Sequence, residues 1–117
     1  MNILKKVNFG LKEIVNSESA TKVIKNYGGQ TLKVNGILIG VKDNVDEDGV
    51  VKTIKVVVLK SGDDLISSIS PTVVNSAETI ISAYEDNKLT EEIVAGIDIT
   101  VASAKSGKGR EFFFLQL

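Results

Sequence analysis

The chain has no histidine, cysteine or tryptophan, and only one proline and one methionine among 117 residues. Without cysteine there are no disulfides and no thiolate ligands. Without histidine the commonest general base and the commonest metal-binding side chain are absent. A metal site would have to be built from oxygen alone. We read no catalytic residue, no metal site and no cofactor, and expect a protein that is not an enzyme. Long hydrophobic runs are missing too. The longest, such as VVVL at residues 56–59, fall far short of the ~20 residues a membrane-spanning helix needs. Nothing resembles a signal peptide, so the expectation is a cytoplasmic protein with no membrane partner.

Hydrophobic residues at 43% and charged residues at 25% are ordinary for a globular domain of this length. The net charge of −1 conceals a segregation. Residues 1–60 hold ten lysines against six acids. Residues 61–100 hold eight acids against Lys88, and the last seventeen residues hold three bases against Glu111. Such a chain can present a basic face although its pI is about 5.4.

Residues 1–9 read as a short strand or a helical turn. Residues 19–26 read as a brief helix with Ser17 or Ser19 as cap and Gly28-Gly29 as its stop. TLKVNGILIGV alternates apolar and polar up to Gly36 and then resumes, so a bulge or bend is expected there. DNVDEDG followed by VVKTIKVVVLK reads as a hairpin. SGDD turns into the strand LISSIS. The clearest helix then starts with Ser70 as cap and Pro71 at its first position. Val73, Ala77, Ile80, Ile81 and Tyr84 form one stripe, and the helix ends near Asn87. LTEEIVAG reads as a solvated connection into IDITVASA, with Ile97, Ile99 and Val101 inward. KSGKG is a five-residue loop, and REFFFLQL returns.

The expected fold is mainly β with one or two helices: a five-stranded Greek-key barrel of OB type, with the helix between its third and fourth strands. A mixed α+β sheet shares that element order. One domain spans residues 1–117, with 1–30 as an N-terminal extension and 31–117 as the barrel.

NVDEDG matches the first half of a calcium loop, but Lys55 stands where the closing bidentate glutamate is needed. The hairpin-turn reading wins, with Asp48-Gly49 supplying the turn. GKGR lacks the glycine spacing, the Lys-Ser/Thr pair and the following helix of a phosphate-binding loop. The carboxylates from Glu85 to Asp98 lack the burial that would tune a catalytic pKa.

Three of the four phenylalanines stand together in REFFFLQL. Alternation turns Phe113, Leu115 and Leu117 to the core and Phe112, Phe114 and Gln116 outward. Pairing Ala104 with Arg110 sets Val101 opposite Phe113, Ala102 opposite Phe112 and Thr100 opposite Phe114. Those small partners would leave both outer rings largely uncovered. Either the helix, the N-terminal segment or a second subunit covers them, or they form a stacking platform for nucleobases, flanked by Lys105, Lys108 and Arg110 for phosphates.

KVNGILIG, the acidic turn DEDG, SISPTV at the helix start and KSGKGREFFFLQL at the chain end resemble the small single-stranded DNA-binding proteins of bacteriophages and mobile elements. The resemblance runs from about Lys33 onward, and the acidic C-terminal tail of the cellular proteins is absent. It implies sequence-independent binding of single-stranded DNA, ahead of RNA, during phage or mobile-element replication. The expected contacts are Lys105, Lys108, Arg110, Phe112 and Phe114, with Lys33, Lys52 and Lys55 from the first hairpin. The alternative is a structural or assembly protein whose Phe112/Phe114 face joins the subunits of a homo-oligomer.

Overall fold

GILIG and VVVL have no polar residue to offer to solvent, so strands built on them must be covered on both faces. The computed structural model, which describes residues 1–20 and 22–117, puts them at the centre of a sheet. Strand β4 (Gly36–Val45) pairs antiparallel with β5 (Val51–Ser61) from Gly36↔Lys60 to Val45↔Val51. Flanking them are β1 (Asn2–Val7), β6 (Asp64–Ser68) and the two-residue β2 (Lys22–Val23), in the order β1-β4-β5-β6-β2.

The two faces of this sheet bury different things. Ile37, Ile39, Val57, Leu59 and Ile66 join the main core. Leu38, Val56 and Val58 form a second cluster with Phe9, against which Met1, Ile3, Ile14 and Leu65 pack. The N-terminal residues therefore line the sheet's far face.

A second sheet has three strands, in the order β3-β7-β8: β3 (Thr31–Val34), β7 (Ile97–Lys105) and β8 (Glu111–Gln116). The expected irregularity at Gly36 is where the chain passes from one sheet to the other, through Asn35. A Cβ on Gly36 would lie 3.1 Å from the carbonyl oxygens of both Val7 and Asn8, so a larger residue would press on two backbone groups.

Helix α2 (Pro71–Asp86) begins where expected, with Pro71 at its first position, and buries Val73, Val74, Ala77, Ile80 and Ile81. It also finishes the edge of β8. The Thr72 hydroxyl donates to the Phe113 carbonyl at 2.8 Å, and the Leu115 amide donates to Ser76 Oγ at 2.8 Å. Two backbone groups on the open edge of β8 thereby gain partners within the protein, each worth ~1 kcal/mol net.

Several expectations need correction. The helix expected over residues 19–26 is instead β2 followed by a 3-10 turn (Ile24–Tyr27); Thr21 lies outside the described residues. An unexpected helix, α1 (Leu11–Ser17), precedes it. The connection after α2 contains a short helix, α3 (Thr90–Ala95), that buries Ile93. Leu117 is 62% exposed rather than in the core, because β8 ends at Gln116.

Lys60 fastens α1 to the sheet. Its ammonium donates to the Asn8 carbonyl and to Glu13 at 3.4 Å, and lies 5.4 Å from the centre of the Phe9 ring. The Glu13 carboxyl is held below its ordinary value of 4.5, chiefly by a backbone hydrogen bond at its own residue and further by Lys60.

Candidate nucleic-acid interface

The β7–β8 hairpin closes one residue later than KSGKG suggests. Lys105 pairs with Glu111, and the loop is residues 106–110, SGKGR. The Ser106 amide donates to the Arg110 carbonyl at 2.8 Å, and Gly109 takes φ +80. Ser106 Oγ accepts from the amides of Lys108 and Arg110, each at 3.3 Å. The turn is thus satisfied by backbone and one hydroxyl, leaving the Lys108 and Arg110 side chains exposed. Neither makes an ion pair among the described residues.

The register is shifted by two from the expected one. Ala104 faces Phe112, Ala102 faces Phe114 and Val101 faces Leu115. Because a two-residue slip preserves facing, the allocation of faces survives it. Phe112 and Phe114 share the outer face over the two alanines, with ring centroids 6.1 Å apart and planes inclined by 39°. Both are partly buried rather than largely uncovered. Phe113 points the other way and packs against the main core. Its ring approaches Gly28 so closely that a Cβ there would lie 2.7 Å from the ring edge.

The remaining candidate residues scatter. Lys105 follows the parity of Ser103 and Phe113, so it projects on the face opposite to Phe112 and Phe114. Lys33 does share the outer face, but six residues of β7, about 20 Å, separate its partner Asp98 from Ala104. Its ammonium lies 3.4 Å from the Asp98 carboxylate. Lys52 and Lys55 belong to the other sheet. Lys55 reaches Glu78 of α2 at 3.0 Å, and Lys52 stands 4.0 Å from Asp46. One hairpin therefore carries Lys108 and Arg110 in its loop and Phe112 and Phe114 on the adjoining strand, with Lys33 at the far end of the rings' face.

The acidic turn is a turn. Asp46 accepts from the amides of Asp48 and Val50, both at 2.9 Å, and Gly49 takes φ +78. Its carboxylate is occupied in holding the loop.

Aromatic faces suit bases and unpaired cations suit phosphates. Comparison with known proteins gives the class: residues 11–117 match the family described as phage single-stranded DNA-binding protein, and the chain belongs to it. The family is one of binding proteins, not enzymes, and its members' partner is single-stranded DNA. The match reaches further toward the N-terminus than the motifs after Lys33, taking in α1 but not β1. No curated protein and no solved structure matches the chain. Among the described residues, no helix is long and apolar enough to cross a membrane.

Proposed function

We propose that the protein coats single-stranded DNA without sequence preference during phage genome replication, in the cytoplasm of the host cell. The strand runs along the outer face of β7 and β8, its bases on Phe112 and Phe114 and its phosphates on Lys108 and Arg110. Lys105 meets phosphate at the edge of the hairpin, and Lys33 extends the track where Asp98 yields it. Lys52 and Lys55 contribute only if strand binding draws them from Asp46 and Glu78. The observation that carries this reading is the ring pair seated on two alanines, on the hairpin whose loop holds Lys108 and Arg110, neither of them ion-paired among the described residues. Stacking is worth ~1–3 kcal/mol per base and is indifferent to sequence, because every base has a π-face.

The strand path supports an OB-type barrel. Taken together, β3 and β4 act as one bent first strand shared between the sheets, β5 and β6 follow it, and α2 stands before β7 and β8. In that reading the seam between β6 and β8 is filled by α2.

Fluorescence anisotropy with labelled oligo-dT tests the proposal. Binding is expected at low salt, weakening with a log–log slope of ~0.7 per phosphate contact. Absence of binding at low salt would overturn it. An affinity that holds or rises with salt would mean that the aromatic face is an apolar interface between subunits.

A further inference from the structure

Phe113 faces a cavity of about 470 Å³ between the end of β6, the 3-10 turn and the start of α2. Val23, Ile24, Ile69 and Val73 form its other apolar walls, and Lys25 and Lys42 line it as well. That volume falls within the ~300–1,000 Å³ of small-molecule sites. No carboxylate lines it, and neither lysine makes an ion pair among the described residues. Other clefts on the surface differ: the one along α2 carries Glu78 and Asp86, and the one beside α1 carries Glu13 and Asp63. A third holds Lys55, which is already on Glu78.

The walls are set before any ligand arrives. The Phe113 ring is backed by Gly28, and its backbone carbonyl is held by Thr72. Ser68 Oγ accepts from the Ser70 amide at 3.1 Å, which leaves its own hydrogen free to donate toward the cavity. An aromatic wall, apolar sides, a free hydroxyl and two uncompensated cations form a chemistry for something flat, partly apolar and anionic. A nucleotide has all three properties.

We propose that this cavity takes one nucleotide of the bound strand, the base against Phe113 and Ile69 and a neighbouring phosphate on Lys25 and Lys42. The inference rests on the strand-binding reading and adds a second contact region on the inner face of β8. The three consecutive phenylalanines then serve one ligand from both sides of one strand. Apolar walls and a phosphate grip carry no base code, in keeping with sequence-independent coating.

The test compares three proteins in oligo-dT titrations across salt: the unaltered chain, a Lys25→Glu/Lys42→Glu variant, and a control with the same charge change at exposed residues away from the cavity, Lys6→Glu/Lys12→Glu. The cavity variant is expected to bind at least tenfold more weakly, with a salt slope lower by about 1.4, the value for two phosphate contacts. The control should stay within about twofold of the unaltered chain, as exposed charges away from the site act mainly through the long-range field. If the unaltered chain does not bind, the strand-binding reading itself falls. If it binds and the cavity variant equals the control, the cavity proposal alone is overturned. Photocrosslinking of oligo-dT carrying one 5-iodouracil gives a second readout: adducts on Phe113 or residues 67–70 support the site, and adducts confined to Phe112 and Phe114 overturn it.

Discussion

The β4–β5 and β7–β8 hairpins close with the same backbone and carry opposite charge. In each, the first loop residue exchanges bonds with the fourth and fifth: Gly49 to Asp46 and Asp46 to Val50 in one, Gly109 to Ser106 and Ser106 to Arg110 in the other, all at 2.8–3.0 Å. In each, a glycine near φ +80 makes the reversal, and the first side chain accepts from the third and fifth amides. Asp46 does with a carboxylate what Ser106 does with a hydroxyl. The turn is indifferent to the charges it displays, so the charges are free to serve something else. One loop carries Asp46, Glu47 and Asp48, and the other Lys108 and Arg110. Only the second stands beside an outward aromatic pair, and only the second is suited to hold a polyanion.

The sharpest way to break this contrast is to reverse it. Lys108→Glu with Arg110→Glu should weaken oligo-dT binding by at least about a hundredfold at low salt, since each charged contact is worth ~1.5–3 kcal/mol. It should also lower the salt slope by about 1.4, while the melting temperature stays put. Glu47→Lys with Asp48→Lys at the other hairpin should leave binding unchanged or tighten it slightly. Next in size, Phe112→Ala or Phe114→Ala should each cost about tenfold in affinity, within the range for one lost stack. Phe113→Ala should act chiefly on stability, read as a fall in Tm, because that ring also packs on the core and Gly28. If all three phenylalanines behave alike, the division of faces is wrong.

Smaller effects test the turn itself. Ser106→Asp should keep the loop closed and the Tm unchanged, since Asp46 performs that role in the matching position, but should weaken strand binding severalfold by bringing a negative charge to the phosphates. Asp46→Ser should cost less than ~1 kcal/mol of stability, a hydroxyl replacing a charged acceptor at an exposed turn.

The smallest effect lies at the end of the β4–β5 hairpin opposite its turn, where Lys60 meets Glu13. Glu13 has a depressed pKa in the folded protein, so its contribution is present above the ordinary value of 4.5 and is lost as pH falls through the folded value. Stability measured from pH 6 to pH 3 should fall less steeply for Glu13→Gln than for the unaltered chain.

What the sequence made legible was whatever repeats with a period. The central hairpin, α2 and the alternation of REFFFLQL were all readable, and the two-residue slip did no harm because strand facing has a period of two. What escaped was short or dependent on context. Helix α1 has no side-chain cap and rests on the sheet through Ile14, while Leu11 and Val15 stay exposed, so its apolar pattern points nowhere. Helix α3 is six residues long and buries one. The two residues of β2 are a strand only because β6 lies beside them.

The candidate site was half legible. The aromatic pair and the loop cations could be read from spacing, but the partners of Lys33, Lys52 and Lys55 come from Asp98, Asp46 and Glu78, of which two lie far along the chain. The cavity joins residues from four separate stretches, a closeness that only the fold creates.

The most direct measurement is an NMR titration of the ¹⁵N-labelled protein with oligo-dT, because the two hairpins carry their own glycine reporters. The account predicts that the amides of Gly107 and Gly109, with those of Phe112 and Phe114, shift progressively to saturation while Gly49 stays in place. Shifts at Gly49 and residues 44–52 with Gly107 and Gly109 unmoved would contradict it, and would place the strand on the acidic arm.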